Sequence, residues 1–440
     1  YTLPVTYDES WIYNYFTSKS FPESFLLPSN NHKLYTAITW WFDLLPGNKT
    51  FIVRIPVIIG GLLACGIFFS FIKKYFGISI ALIGMAWFSS CIPVAKYMVT
   101  GKSYIFLLLI HMLMLRVYFE ILRSDQSDFR RWLILTVIIT LGYLTNPVFL
   151  FGHIFSTVLF IAVNIHQNKY FTVRKIILFN LLSLPFLLPF YITDILSGSF
   201  YNLLRFAVTQ KINHPNFFIL CWNNNAQFQM GFNNAGLLFL FTILCASILY
   251  FSGNCKHKTL LLYAIISVIW LPFYAAIVKD DTSVHKTMYI TASVAIIISF
   301  ILQYLFFKIA VQKTYYTYLI IAFVLSGNFY LYKHNTWVNW SLQLDSSAEK
   351  TGNILLQNNA THFYLSHYYY KPALEFYYKT NRRQVKIFMG VPGSVDYVEE
   401  IPDSPAPDFL IIDNDQKDKP LTPSSYKKIF SDQFITIYSR

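Results

Sequence analysis

The chain has 440 residues, of which 55% are hydrophobic, 19% are aromatic and only 13% are charged. Because soluble globular chains carry about 25% charged residues, this composition argues against a water-soluble enzyme, and its high hydrophobic content argues against a disordered chain. The net charge of +13 leaves three interpretations: binding to nucleic acid, binding to an anionic membrane, or charges that orient membrane spans.

The position of the charges favours the third interpretation. Residues 333–440 hold 12 basic and 12 acidic residues, so the whole excess belongs to the apolar part before them, with 23 basic and 10 acidic residues. We therefore expect a lipid bilayer as partner and no nucleic acid. The 5 cysteines form no CxxC pair, so neither a zinc site nor a disulfide framework is indicated.

Residues 1–50 are polar and aromatic, and apolar stretches follow that approach the roughly 20 residues a helix needs to cross hydrocarbon. The sequence therefore predicts an α-helical polytopic membrane protein of about ten spans. Asn146-Pro147 marks either a tight turn between two short spans or a kink in one. The predicted spans are 51–72, 78–95, 103–121, 132–148, 149–166, 175–194, 235–252, 259–278, 287–306 and 314–332.

The loops between these spans predict the orientation. Alternate short loops hold 12 basic residues, beginning with Lys73-Lys74 and ending with Lys308 and Lys313. The positive-inside rule places these loops in the cytoplasm, so residues 1–50 and the C-terminal tail face outward. Such a start requires one more helix upstream of Tyr1, although a cleaved signal peptide would also explain the missing methionine. The expected location is the cytoplasmic (inner) membrane, in a multi-pass arrangement.

The tail predicts a small α/β domain on the outer face. Strand-like runs occupy 361–365, 385–388, 409–412 and 434–438, and a helical pattern over 372–378 lies between the first two. The predicted organisation is thus an outer first loop with interfacial helices (1–50), a transmembrane bundle (51–332) and an extracytoplasmic domain (333–440).

The first outer segment contains the adjacent acids Asp8 and Glu9. Alone they are a weak signal, because Thr6 or Asp8 could simply cap a short interfacial helix that carries Trp11. The same segment continues with Asn30-Asn31-His32-Lys33-Leu34-Tyr35-Thr36 and then Arg54-Ile55-Pro56, which opens a span. Tyr-Met-Val-Thr-Gly-Lys-Ser-Tyr (97–104) and Leu-Gly-Tyr-Leu-Thr-Asn-Pro (141–147) follow in order.

In their order and spacing these motifs resemble the C-type (GT-C) membrane glycosyltransferases. Within that superfamily they are most similar to the bacterial branch of protein O-mannosyltransferases and the lipid A aminoarabinose transferase. The resemblance is best over residues 1–160. It implies transfer of a sugar, a hexose or a pentose, from a polyprenyl-phosphate donor to an acceptor outside the cytoplasmic membrane.

The resemblance also implies roles for single residues. Asp8 matches the family's first-loop aspartate and would be the general base, with inversion at the sugar carbon. Glu9 would hold the acceptor or tune Asp8. His32, Lys102, Tyr104 and Arg54 would contact the donor and its phosphate, although each could be structural, Lys102 as a snorkelling side chain. Arg205 and Lys211, in the long outer loop 195–234, are further head-group candidates.

The sequence departs from the family at the next outer loop, because residues 93–104 contain no acid where many members carry a second carboxylate. No cofactor is therefore expected, and a divalent metal lacks the support of a second loop carboxylate. Asp280-Asp281 could substitute for it or could be a solvated turn.

A transporter or flippase for a lipid-linked glycan is the alternative function. It would place ionisable groups in mid-span, whereas the predicted spans are nearly free of Asp and Glu. A structural protein whose outer domain binds a partner is a third possibility. The acceptor, whether glycolipid, polysaccharide or protein, is left open.

Overall fold

The computed structural model describes residues 4–26, 32–123, 128–146, 148–196, 217–231, 235–251, 258–270, 288–309, 314–366, 368–389, 407–414 and 426–440. The chain divides into two compact units. Unit 1 comprises Tyr1–Phe21, Thr39–Val53 and Thr336–Arg440, and unit 2 comprises Pro22–Ile38 and Arg54–Asn335. The predicted first loop, 1–50, is therefore shared between the two units.

Unit 2 is helical. In chain order its helices are α2 (Phe21–Leu26), α3 (Lys33–Asp43, whose last residues belong to unit 1), α5 (Ile55–Phe76), α6 (Ile78–Ser90), α7 (Ile92–Tyr97), α8 (Tyr104–Arg123), α9 (Phe129–Thr145), α10 (Phe149–His166), α11 (Tyr170–Leu181), α12 (Ser183–Leu196), α13 (Phe217–Met230), α14 (Gly236–Phe251), α15 (Lys258–Ile269), α16 (Met288–Ile309) and α17 (Thr314–His334).

Each of the ten predicted spans overlaps at least one of these helices, but 78–95 covers α6 and most of α7, and 175–194 covers parts of both α11 and α12. α9 and α10 are separate helices rather than one kinked span. By length and composition alone, three segments of the described chain could cross a membrane: Lys49–Phe76, Tyr104–Arg123 and Tyr170–Pro189. Five shorter apolar helices accompany them, at Ile78–Ser90, Gly152–His166, Gly236–Phe251, Lys258–Ile269 and Met288–Leu302.

The buried histidines of the bundle are held by neutral partners. His111 Nε2 lies 3.0 Å from the hydroxyl of Tyr263, and His153 Nδ1 lies 2.9 Å from the hydroxyl of Tyr143. His153 Nε2 also contacts Oδ1 of Asn180. Hydrogen-bonded pairs of this kind satisfy polar groups that would otherwise be costly inside a bundle.

Unit 1 contains the predicted α/β domain, and its strands confirm the sequence pattern. They are β1 (His362–Leu365), β2 (Lys386–Met389), β3 (Phe409–Asp413), β4 (Lys427–Ser431) and β5 (Ile435–Ser439), in the order β2-β1-β3-β5-β4. β1 pairs parallel with β2 and β3, whereas β5 pairs antiparallel with β3 and β4. The sequence pattern missed β4, because as an edge strand it is polar and largely exposed rather than apolar.

Among the described residues of unit 1 the α-helices are α1 (Tyr7–Ile12), α4 (Lys49–Ile52), α18 (Thr336–Gln357) and α19 (Lys371–Thr380), and Tyr368–Tyr370 form a 3-10 helix. A short π-helix, Tyr13–Thr17, continues directly from α1. The first segment packs on the C-terminal domain, because Val5 and Tyr13 share a buried apolar cluster with Leu374 and Phe376. The buried amide of Asn14 also donates to the carbonyl of Pro372, at 2.7 Å.

Candidate active site

The acidic pair lies on α1 in unit 1, and its two members have different surroundings. Glu9 is 2% exposed, and its carboxylate accepts a hydrogen bond from the backbone N–H of Thr6 at 2.7 Å. Thr6 Oγ1 in turn accepts from the backbone N–H of Glu9 at 3.2 Å. This capping box begins α1, and Thr6 is thus a helix cap, which was one of the two interpretations of this segment from the sequence. The catalytic role of Glu9 stays a prediction beside this structural one.

The capping box predicts how Glu9 variants behave. Glu9→Ala removes the carboxylate that satisfies the N–H of Thr6 and should lower the free energy of unfolding by about 1 kcal/mol. Glu9→Gln keeps an acceptor at the same place and should be nearly neutral. A thermal scan of the purified protein in detergent measures both. Equal melting temperatures for the alanine and glutamine variants would contradict the capping role.

Asp8 is half-buried in the first turn of α1, where the positive end of the helix favours a carboxylate. Burial, together with the charges of Asp345 and Asp8, raises the pKa of Tyr369. The hydroxyl of Tyr369 donates to Oδ1 of Asp345 at 3.3 Å, and Asp345 is 4% exposed. Asp8 thus stands in a partly desolvated, negatively charged part of unit 1, which suits a group that accepts a proton.

In unit 2, the ends of three helices bring polar groups together around His32. Ser103 precedes α8 and places its Oγ 2.6 Å from His32 Nδ1. Asn146 follows α9 and places its Nδ2 3.2 Å from the same nitrogen, and the carbonyl of Thr145 lies 3.3 Å from it. We call His32, Ser103, Tyr104 and Asn146 the His32 cluster.

The amide of Asn146 and the carbonyl of Thr145 both face Nδ1 of His32. Oδ1 of Asn146 accepts from the backbone N–H of Val148 at 2.9 Å, so Nδ2 is the atom that faces His32. An amide Nδ2 can donate to Nδ1 when that nitrogen carries no hydrogen, and the carbonyl of Thr145 can accept from Nδ1 when it does, so Nδ1 has a partner in either tautomer. The Ser103 hydroxyl can donate to the same Nδ1.

Within the His32 cluster Tyr104 lies beside His32, and Lys102 lies beside Tyr104. The Tyr104 ring centre is 5.9 Å from that of His32 and 5.0 Å from that of Tyr97. Nζ of Lys102 lies 4.8 Å from the centre of the Tyr104 ring, a cation–π geometry. Three of the predicted donor-binding residues are therefore neighbours in space, although they are 70 residues apart along the chain.

Two cations are deeply buried in unit 2. Arg54 directly precedes α5 and is 1% exposed, and Lys33 is the first residue of α3 and is also 1% exposed. Nζ of Lys33 lies 5.5 Å from the centre of the Tyr191 ring. Burying a cation is costly, so such residues mark places where a protein holds negative charge. The sequence interpretation included Arg54 but missed Lys33, although Lys33 adjoins His32 in the Asn-Asn-His-Lys element.

The remaining candidates lie outside the described residues. Arg205, Lys211, Asp280 and Asp281 all fall in those parts of the chain. Among the residues that the structure describes, no group of three or more His, Cys, Asp and Glu side chains could hold a metal ion.

Comparison with known proteins found matches to the fold of this chain but none to its sequence. No protein-family model matches the sequence, and no curated protein sequence matches it. Two solved structures of ArnT from Cupriavidus metallidurans do match, one bound to undecaprenyl phosphate and one in the apo state. Each has a TM-score of 0.60 at 11% identity and covers 99% of this chain and 94% of its own. The chain has the GT-C fold.

The GT-C fold confirms the predicted architecture of a multi-pass helical membrane protein with a small C-terminal α/β domain. At 11% identity the likeness extends to the fold alone. The roles of Asp8 and of the His32 cluster therefore rest on the chemistry of this chain's own residues.

Proposed function

We propose that the protein is an integral-membrane glycosyltransferase. It moves a sugar from a polyprenyl-phosphate donor to an acceptor at the outer face of the cytoplasmic membrane, with inversion at the sugar carbon. The observation that carries the proposal is that four groups able to bind phosphate, His32, Lys33, Arg54 and Lys102, belong to the helical unit of a chain with the GT-C fold.

The donor phosphate leaves with negative charge, and catalysis requires groups that stabilise this charge as it develops. In the proposal, His32 supplies a hydrogen-bond donor and Lys102 supplies a cation, and both lie beside Tyr104. Lys33 and Arg54 add buried positive charge in the same unit. Because a buried cation is screened little by solvent, it binds phosphate more strongly than an exposed one does.

The acceptor hydroxyl must lose a proton as it attacks the sugar carbon. Asp8 takes this proton in the proposal, because its carboxylate lies at a helix start in a partly desolvated, acidic part of unit 1. One displacement, in which the new glycosidic bond forms as the bond to the phosphate oxygen breaks, inverts the configuration.

Transport of a lipid-linked glycan is the competing function. A transporter needs ionisable groups in mid-span to bind and release its cargo. The mid-span histidines of the described residues, His111 and His153, instead hydrogen-bond to Tyr263, Tyr143 and Asn180. This arrangement favours a structural role for them and therefore favours the enzyme.

The test is a donor panel with purified protein. Polyprenyl-phosphate sugars that carry different hexoses and pentoses are incubated with the protein and with membrane extract as a source of acceptors. We expect one donor to yield a glycosylated product together with free polyprenyl phosphate. Release of neither product from any donor would contradict the proposal.

The His32 cluster predicts a specific effect at Ser103. Ser103→Ala removes one hydrogen bond from His32 Nδ1 and should weaken the binding of polyprenyl phosphate about 3- to 10-fold, because one neutral hydrogen bond contributes about 1 kcal/mol. Ser90→Ala is the matched control, since Ser90 accepts a hydrogen bond from Asn328 at 2.7 Å in the same unit. Binding is measured by isothermal titration in detergent. If both variants weaken binding equally, the prediction that His32 contacts the donor is contradicted.

The proposal that residues 1–50 and the C-terminal domain face outward can be tested at Cys255, because the charges of the loops predict that Cys255 lies in the cytoplasm. A membrane-impermeant thiol reagent added to sealed cells should leave Cys255 unlabelled. A cysteine introduced by Lys350→Cys, at an exposed position of α18, should react when Cys255 is replaced by serine. Labelling of Cys255 in sealed cells would reverse the orientation.

A further inference from the structure

Aromatic side chains form a continuous row beside Asp8 in unit 1. Tyr7, Trp11 and Tyr15 recur every fourth residue along α1 and the π-helix, and Tyr369 of the C-terminal domain extends the row. The ring centres of Tyr369 and Tyr7 are 4.8 Å apart with planes at 17°, and those of Tyr7 and Trp11 are 6.0 Å apart at 26°. Trp11 and Tyr15 follow at 4.4 Å and 41°. We call these four residues the aromatic row.

The row differs from a core cluster in its burial and in its polar neighbours. All four residues are half-buried, whereas Ile12 and Phe16 on the adjoining face are 3% and 6% exposed. Carboxylates stand at both ends: Tyr369 donates to Asp345, and Tyr15 donates to Oε2 of Glu375 at 3.1 Å. The indole N–H of Trp11 makes no hydrogen bond to a described residue, so it is available to a ligand.

From this arrangement we propose that the aromatic row binds the sugar residues of the acceptor, and that the acceptor is a glycan without charged groups near its reacting end. The inference rests on the proposed function, since it identifies the row with the acceptor side of that reaction. Sugar rings present apolar C–H faces that pack on aromatic faces, and their hydroxyls donate to carboxylates. A row of rings beside the proposed base suits a chain of sugars that presents a hydroxyl to Asp8.

The carboxylates around the row disfavour an acceptor that carries negative charge. Asp8, Asp345 and Glu375 are all acidic, and among the described residues the ion pair that Glu375 forms is with Lys371, whose Nζ lies 3.9 Å from Oε1. An acceptor that carries phosphate near its reacting hydroxyl would be repelled by these carboxylates.

Binding of neutral oligosaccharides, measured without donor, tests the proposal. Wild-type protein is titrated with tetrasaccharides of glucose, mannose and N-acetylglucosamine, and binding is followed by tryptophan fluorescence and by calorimetry. We expect one of them to bind, and Trp11→Ala to raise its Kd about tenfold while Trp11→Phe retains most of the affinity. Trp340→Ala is the matched control in the same unit, because Trp340 is 52% exposed. It should bind as the wild type does.

Three outcomes overturn the proposal: no neutral tetrasaccharide binds, Trp11→Ala binds as tightly as the wild type, or a phosphorylated glycan or a peptide binds instead. Polyprenyl-phosphate affinity, which should be unchanged in Trp11→Ala, shows whether the variant is folded. Because no donor is present, the result is independent of catalysis. Glycan binding without any sugar transfer would contradict the proposed enzyme activity but support the aromatic row as a glycan-binding site. Sugar transfer that does not depend on Trp11 would support the enzyme activity but contradict the role of the row.

Discussion

Replacing Asp8 with asparagine is expected to reduce sugar transfer by about 10²- to 10⁴-fold, the contribution of a positioned general base. The amide keeps the shape of the side chain and cannot accept the proton. The measurement is the initial rate of transfer from the preferred donor, with the KM for the donor determined separately. The KM should change little, because Asp8 acts on the acceptor hydroxyl.

Two control variants distinguish the loss of a general base from a loss of folding or of negative charge. Asp408→Asn neutralises an exposed carboxylate in the same unit and should leave the rate unchanged. Glu9→Gln keeps the capping box and should retain most of the activity. If Glu9→Gln loses as much activity as Asp8→Asn, Glu9 shares in the chemistry. Undiminished activity in Asp8→Asn would remove Asp8 as the base.

Replacing Lys33 with methionine is expected to weaken the binding of polyprenyl phosphate about 10- to 100-fold, because a charged hydrogen bond contributes about 1.5–3 kcal/mol. Methionine fills the same buried space without the ammonium. The Kd for polyprenyl phosphate is measured by titration, together with its dependence on salt. Since Lys33 is 1% exposed, salt should change this Kd less than it would for an exposed cation.

Lys175→Met is the matched control for Lys33→Met. Lys175 also lies over an aromatic ring, with its Nζ 4.5 Å from the centre of Phe171, but it is on α11 and is predicted to be cytoplasmic. Its replacement should leave the Kd unchanged. A Lys33→Met protein that melts normally and binds polyprenyl phosphate as the wild type does would contradict a role for this buried cation.

The sequence predicted most of the fold because two strong signals act there. Span-length apolar runs require helices in a bilayer, and alternating apolar residues in the tail require strands with one buried face. The packing of the first segment could not be predicted in this way, because Tyr13 and Asn14 pack on the C-terminal domain, more than 350 residues away along the chain. Hydropathy carries no information on such a distant contact, and so 1–50 was predicted as a separate loop.

Single side chains in the candidate site were harder to predict, for a physical reason. Ser103 and Asn146 stood in the quoted motifs, but their contacts with His32 depend on where α8 begins and α9 ends in space. Lys33 was overlooked because its burial is a property of packing rather than of the residue type. The aromatic row combines a readable spacing, every fourth residue from Tyr7 to Tyr15, with Tyr369, which only the fold brings beside it.

The most direct test of the central claim is whether the protein makes a glycosidic bond or moves its lipid. Purified protein is reconstituted into vesicles with a polyprenyl-phosphate sugar labelled in the sugar, and the vesicles are supplied with the acceptor. The label is then followed by product analysis and by its accessibility on each side of the bilayer. We predict label in a new glycosidic bond of inverted configuration, lost in Asp8→Asn. Label that crosses the bilayer while still attached to polyprenyl phosphate, with no new bond formed, would contradict the enzyme and establish the transporter.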